Sequence, residues 1–149
     1  MSEIEVIGHC PLSQQELDRI MLGVFEGENP GKDYLISLLM VEDEEMKHYN
    51  KTYRGLGEAT DILSFVTATV PVNEAETEKQ KPREQLICDI IIDINQLIRQ
   101  KGNETIEKEF RNVLIHGLLH LLGYDHTRLT DKEIMSNKEE YYQRILQGE

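Results

Sequence analysis

Three of the chain's five histidines lie within an eleven-residue window that has the spacing of a metal site. His116 and His120 are four residues apart, so on a helix both side chains project from the same face. Gly123 is placed to end that helix in the left-handed conformation, and the chain that turns back there brings His126. Three neutral imidazoles with an open fourth position are typical of a catalytic Zn²⁺ site. The window therefore predicts a zinc ion held by His116, His120 and His126.

The same offsets occur in the metzincin proteases, whose motif is H-E-x-x-H-x-x-G-x-x-H. The three histidines and the glycine match that motif, but position 117 is glycine, where the proteases have glutamate. That glutamate is the general base of peptide hydrolysis. The pattern therefore predicts metal binding and argues against ordinary peptide cleavage. Two alternatives stay open. The histidines can be buried or capping residues of an apolar helix, or they can belong to a closed structural zinc site, which would need a fourth ligand; Cys10 and Cys88 belong to no C-x-x-C pair.

Length and charge limit the function classes. The chain has 149 residues, which predicts a single domain over 1–149 with a core of its own. Its formal net charge is −12, which argues against broad nucleic-acid binding because phosphate affinity comes from clustered Lys and Arg. We expect no membrane segment and no signal peptide, and the two unpaired cysteines indicate a reducing compartment.

Hydrophobic periodicity predicts the elements that position the histidines, in the order β-α-β-α-β-β-α-α-α. The predicted strands are residues 3–7, 34–41, 61–67 and 86–93. The predicted helices are one that follows a capping box at Ser13 and Glu16, one over 42–54, one over about 93–101, the metal helix over about 104–122, and one that follows a capping box at Thr130 and Glu133 and reaches about 146. Residues 68–85 are predicted to form a long exposed loop or flap. Early strands and late helices favour an α+β domain with one small mixed sheet covered by helices and the metal site on a central helix.

Four segments resemble one family. Residues 116–126 resemble the H-G-x-L-H-L-x-G-Y-D-H signature of the YbeY family of bacterial endoribonucleases and rRNA maturation factors. Residues 50–55 resemble its N-x-x-[YF]-R-G segment, residues 60–65 its T-D-V-L-S-F segment, and Met135 with Glu139 its M-x-x-x-E pattern. One departure is Cys88, which stands where the family usually has the glycine of G-D-I.

This resemblance implies a function and a fold. It implies a zinc-dependent, single-strand-selective endoribonuclease that acts in rRNA maturation, notably at the 3′ end of the small-subunit (16S) rRNA, and in ribosome quality control. The expected fold is a zincin-like α+β domain, the expected partners are single-stranded RNA or rRNA and the ribosome or its associated proteins, and the expected location is the cytoplasm. Two alternatives stay open: a metal-dependent hydrolase of peptides or small molecules, and a non-catalytic zinc-containing ribosome assembly factor.

Four further residues are candidates for the site. Arg54 is the candidate catalytic residue, a phosphate clamp, because guanidinium binds phosphate oxygens in a bidentate way; it can also simply complement the dipole of its helix. Asp125 can orient a neighbouring imidazole or serve as a turn residue. Asp61 and Ser64 can face the cleft. Alternatively, Asp61 is only the first residue of a strand, and the Ser64 hydroxyl only makes a hydrogen bond within the fold. The nucleophile is either water or the ribose 2′-OH.

Overall fold

Four strands and five helices follow one another in the predicted order in the computed structural model, which describes residues 1–54, 60–72, 83–124 and 128–147, with the backbone alone at positions 54 and 72. The elements are β1 (Glu3–Ile7), α1 (Gln14–Glu28), β2 (Asp33–Val41), α2 (Asp43–Arg54), β3 (Ile62–Val72), β4 (Arg83–Asp93), α3 (Ile94–Gln100), α4 (Ile106–Leu121) and α5 (Leu129–Ile145). Along these ranges, no helix combines the length and the apolar character that a membrane crossing needs.

The strands form one mixed sheet in the order β1-β2-β4-β3. β1 pairs with β2 and β2 pairs with β4 in parallel, whereas β3 runs antiparallel to β4. The ladder between β3 and β4 shifts register between Val66 and Ala68. β3 is thus an edge strand of the sheet, and its first residues lie next to the C-terminal end of β4. The predicted α+β class with one small mixed sheet is confirmed.

Helices cover both faces of the sheet. Ile90 and Ile92 of β4 point into the larger core, which also contains the buried side chains of α1, α4 and α5. Ile91, between them, points to the other face and packs in a smaller core with Met46 of α2. Successive side chains of a strand alternate between faces, so a strand that is buried on both faces is a continuous apolar run. This explains the unbroken apolar sequence of β4.

α4 is the central helix of the larger core. It begins after Thr105, whose hydroxyl accepts a hydrogen bond of 3.1 Å from the Lys108 amide. The buried residues of the helix are Phe110, Val113, Leu114, Ile115, Gly117, Leu118, Leu119 and Leu121. Its two histidines are only half-buried, so they lie where the apolar face of the helix meets the surface. The predicted placement of the histidine pair on a central helix is therefore confirmed.

Two predicted boundaries are wrong. The predicted loop over 68–85 is strand at both of its ends, because β3 continues to Val72 and β4 begins at Arg83; residues 73–82 lie outside the described ranges. The main chain pairs with β4 through this stretch, and the Thr67 hydroxyl donates to the Ile87 carbonyl at 3.0 Å. Pro71 is tolerated because an edge strand does not need every N–H. The capping box predicted at Thr130 and Glu133 is also absent, because α5 already starts at Leu129 and its N-cap has no side-chain hydrogen bond.

Candidate metal centre

His116 and His120 form the centre of the candidate site. Their ring centroids are 4.7 Å apart and the ring planes are inclined by 77°. This geometry follows from the four-residue spacing on α4, which places one imidazole a turn above the other. The His116 side chain is 29% exposed, so the pair is accessible from outside the core. Two imidazoles at this separation can donate nitrogens to one ion.

A carboxylate on α5 holds His116 in a defined orientation. Oε1 of Glu139 lies 2.8 Å from Nδ1 of His116, and the two side chains are 24% and 29% exposed. A carboxylate is a hydrogen-bond acceptor, so the proton of the neutral ring is held on Nδ1 and the lone pair is left on Nε2. Metal-binding histidines commonly have such a carboxylate partner. The sequence assigned Glu139 no role beyond the M-x-x-x-E pattern, and that pattern was the only available signal.

The end of α4 confirms the predicted turn. The Gly123 amide donates to the His120 carbonyl at 3.0 Å, and the Tyr124 amide donates to the Leu119 carbonyl at 3.1 Å. Gly123 has a φ of 101°, a backbone conformation that favours glycine. These bonds form a Schellman motif, which reverses the chain directly after the second histidine. Asp125 and His126 lie outside the described residues, so their roles stay predictions.

Gly117 shows why the protease base has no place here. A Cβ atom at this position would lie 2.6 Å from Cδ1 of Ile62 and 3.8 Å from Cδ1 of Ile90. The helix therefore packs closely on β3 and β4 at this point. A glutamate side chain would enter the apolar core, where an unpaired carboxylate is strongly disfavoured. The close approach also brings the start of β3 next to His116.

A cavity of about 190 Å³ opens beside His116. Its lining residues come from the start of β3 and from α3, α4 and α5, and are Asp61, Gln100, Glu109, Asn112, Val113, His116, Glu139 and Gln143. The Gln100 amide nitrogen donates to the Asp61 carboxylate at 3.2 Å and to the Glu109 carboxylate at 2.9 Å, so it connects the two. Asp61 thus faces the cavity together with His116. Ser64 is half-buried on β3 and does not line this cavity.

The strand start that carries Asp61 is held by Asp93. The Asp93 amide donates to the Asp61 carbonyl at 3.0 Å, and the Asp93 side chain caps α3 by accepting from the Gln96 amide at 3.2 Å. Burial, together with the nearby Asp43 carboxylate, raises the pKa of Asp93 to about 6. Asp43 instead binds Arg99 through both carboxylate oxygens at 2.9 and 2.7 Å, which lowers the pKa of Asp43 to about 2. Arg99 binds Asp43 directly and also interacts electrostatically with Asp93.

Arg54 ends α2, and its side chain lies outside the described part of the structure. The residue before it, Tyr53, is 52% exposed and has its ring centroid 4.4 Å from that of Phe65 on β3. The end of α2 therefore lies beside the edge strand, three residues along from Ile62. The predicted phosphate contact of Arg54 stays a prediction.

The charge around the cavity is negative. Asp61, Glu109 and Glu139 line it, and none of the lining residues is Lys or Arg. Among the residues that the structure describes, no group of three or more His, Cys, Asp or Glu side chains is arranged to hold a metal ion. The predicted set needs His126, which lies outside them. The described residues thus provide the imidazoles of His116 and His120 and the Glu139 carboxylate that contacts His116.

Comparison with known proteins gives a consistent assignment. The sequence model of a family described as "Endoribonuclease YbeY" matches residues 8–147. A protein of Pelotomaculum thermopropionicum with that name is 33% identical over 126 residues, which cover 83% of this chain and 80% of the relative. A protein of Desulforamulus reducens with the same name is 36% identical over 118 residues, covering 77% and 74%. A solution structure from Thermotoga maritima shares the fold, with a TM-score of 0.56 and 24% identity over 96% of this chain and 88% of that one.

Proposed function

This chain belongs to the endoribonuclease YbeY family, and we propose that its endoribonuclease reaction depends on zinc and selects single-stranded RNA. The observation that carries the proposal is the pair of imidazoles on one face of α4, with Nδ1 of His116 bound to Glu139. We assign the zinc ligands to His116, His120 and His126. Neutral imidazole is a donor that suits zinc, and three protein ligands leave a position open for chemistry.

The residues of the site have separate tasks in this proposal. When bound, zinc supplies Lewis acidity toward an oxygen of the phosphodiester. Glu139 keeps the His116 ring oriented with its proton on Nδ1, so Nε2 would be the nitrogen that binds zinc. Arg54 binds a phosphate oxygen pair, and Asp125 supports a neighbouring imidazole. Asp61 and its Gln100 contact shape the wall of the cavity beside His116.

Peptide hydrolysis is the less favoured alternative for a structural reason. The helical position that carries the base in the proteases is Gly117, and the Ile62 side chain occupies the space next to it. We therefore propose phosphodiester hydrolysis of rRNA, with the 3′ end of the small-subunit rRNA as the site that the family resemblance indicates. The ribosome and its associated proteins are the proposed partners, and the cytoplasm is the proposed location.

The test compares two histidine variants. His120→Ala removes a proposed ligand, whereas His48→Ala removes an exposed imidazole from α2, on the other face of the sheet. Each protein is stripped with a chelator, reloaded with zinc, and assayed for zinc content and for cleavage of a labelled RNA, single-stranded or annealed to its complement. We expect zinc and single-strand cleavage to be lost together in His120→Ala and kept in His48→Ala.

Three results would contradict the proposal. Zinc retained with unchanged affinity in His120→Ala would make the ligand assignment wrong. Cleavage by the stripped protein at the rate of the zinc-loaded protein would remove the zinc dependence. Zinc-dependent cleavage of a peptide library by the unaltered protein, without RNA cleavage, would support the peptidase instead.

A further inference from the structure

A buried glutamate at the end of α1 connects three parts of the molecule. The side chain of Glu28 is only 8% exposed, although the residue as a whole is half-buried, and its two carboxylate oxygens have separate partners. The Tyr124 hydroxyl donates to Oε1, and the Tyr142 hydroxyl donates to Oε2. Lys138 Nζ also lies 3.2 Å from Oε2. The carboxylate thus joins the end of α1 to α5 and to the segment that follows α4.

Two glycines of α1 make this arrangement possible. A Cβ at Gly27 would overlap the Tyr142 hydroxyl, and a Cβ at Gly23 would lie 2.7 Å from a methyl carbon of Leu146. α5 can therefore pack close enough to α1 for Tyr142 to reach the glutamate. The Tyr142 hydroxyl thus occupies the space that the absence of a side chain at Gly27 leaves open.

The carboxylate is stabilised in its charged form. Burial opposes ionisation of Glu28, but the hydrogen bonds from Tyr124, Tyr142 and Lys138 hold its pKa below the ordinary range. Hydrogen bonds to an ionised acceptor are stronger than neutral ones. Tyr124 is therefore tied firmly to α1, although it belongs to a connection between two other helices.

Tyr124 lies between α4 and the proposed ligand His126, so its hydrogen bond to Glu28 bears on the metal centre. Its amide is bound to the Leu119 carbonyl on α4, and its hydroxyl is bound to Glu28 on α1. These two anchors set both the place and the direction of the residue. His126 follows only two positions later, and two residues span at most about 7 Å. Whatever fixes Tyr124 therefore fixes the start of the connection that leads to His126.

We propose that Glu28 is a positioning residue for the metal centre, which acts through the Tyr124 hydroxyl to hold the chain that presents His126. The inference rests on the proposed zinc site. Without this contact Tyr124 has one anchor fewer, and the entropy cost of fixing it during metal binding weakens the affinity. Partners that orient metal ligands typically change metal affinity by 10–100-fold, so we expect a loss of about tenfold or more.

Two tyrosine variants test the proposal against each other. Tyr124→Phe and Tyr142→Phe each remove one hydroxyl from the same carboxylate, but only Tyr124 leads directly to His126. Zinc affinity is measured on the full chain by competition with a chromophoric chelator, and the stability of the metal-free proteins is measured by thermal unfolding. We expect Tyr124→Phe to lower zinc affinity by about tenfold or more. Tyr142→Phe should lower the melting temperature and leave zinc affinity unchanged, since Tyr124 and Lys138 still hold Glu28.

A Co²⁺-substituted sample gives an independent reading. If the third imidazole is held less well, the visible absorption of Tyr124→Phe should change in intensity and position, whereas that of Tyr142→Phe should match the unaltered protein. Equal zinc affinity in Tyr124→Phe and the unaltered protein would overturn the role of Glu28 while leaving the metal site intact. Equal losses in both variants that follow their melting temperatures would make the contact merely structural. Failure of the unaltered protein to bind zinc would instead reject the proposed function itself.

Discussion

Replacing Glu139 by Gln should weaken zinc binding without removing it. The His116–Glu139 contact is 2.8 Å long and both side chains are more than two-thirds buried. A charge-assisted hydrogen bond of this kind contributes about 1.5–3 kcal/mol. Since 1.4 kcal/mol corresponds to a factor of ten in an equilibrium constant, its full loss should lower zinc affinity by roughly 10–100-fold. Glu139→Gln keeps an acceptor and loses the charge, so we expect it near the lower limit and Glu139→Ala near the upper one.

The neighbouring Glu140 offers a matched control. It lies one residue along α5, is exposed, and its change to Gln removes the same charge without touching His116. Zinc affinity is measured by chelator competition at constant pH and salt for Glu139→Gln, Glu139→Ala and Glu140→Gln. If Glu139→Gln and Glu140→Gln shift the affinity equally, the effect comes from net charge alone, and the reasoning from the hydrogen bond is refuted.

Three further predictions concern other parts of the site. Arg54→Ala should keep its zinc and its melting temperature but cleave single-stranded RNA about 10²–10³-fold more slowly, and Arg54→Lys should restore part of the rate. An unchanged cleavage rate in Arg54→Ala would mean that Arg54 only complements the dipole of α2. Gly117→Ala should lower the free energy of unfolding, measured in urea titrations, by about 1–3 kcal/mol. Adding Ile62→Val, which removes the contacting methyl, should restore part of this loss, and simple additivity of the two changes would contradict the clash. Asp93→Asn should keep the cap to Gln96 and be more stable than the unaltered protein above pH 6. The pKa of Asp93 is about 6 in the folded state and about 3.9 in the unfolded state. Between these pH values the folded state binds more protons, so the unaltered protein loses stability as the pH rises through them. Thermal unfolding at pH 4 and 7.5 measures this, and an equal change at both pH values would contradict it.

Local patterns were sufficient to predict the part of the site on α4. The i, i+4 spacing of His116 and His120 requires only that the segment be helical, and its apolar residues specify that. Gly123 takes the left-handed conformation that its position after the helix indicated. The Ser13 cap was also correct, since its side chain accepts from the Glu16 amide at 3.2 Å. Each of these features depends on residues within about one helical turn of each other.

The errors come from interactions between distant segments. The strand pairing of Val70 with Gln85 and of Val72 with Arg83 extends the hairpin well past the predicted limits. Residues 68–72 alternate apolar with other side chains, but they contain Pro71 and lead into a polar segment, which favours a loop over a strand. Pairing with β4 outweighs this weak preference, because tertiary context decides strand formation more than propensity does.

The supporting contacts could not be read from spacing at all. Glu139 lies 23 residues after His116, and Tyr124 lies 96 residues after Glu28. A glutamate on an amphipathic helix is usually a solvated residue; the M-x-x-x-E pattern singled out Glu139 without giving it a contact, and no local feature marks Glu28. They acquire a role only when α1 and α5 pack around the end of α4. Sequence spacing therefore predicted the histidine pair on α4, whereas the contacts of Glu139 and Glu28 required the fold.

The acidity of the chain has a consequence for how RNA reaches the site. The cavity beside His116 is lined by Asp61, Glu109 and Glu139, and the chain as a whole has a formal charge of −12. A phosphodiester that approaches these carboxylates is repelled, since nucleic-acid affinity comes from neutralising phosphates with cations. A divalent cation at the histidines offsets much of that negative charge at the point where the phosphate must lie. Under the proposed function, the metal is therefore needed for productive RNA binding as well as for chemistry, and Arg54 adds a second positive contact. Glu139, which contacts His116, also contributes to the repulsion of the phosphate. The same carboxylate that supports the metal centre therefore makes RNA binding depend on whether the metal is bound.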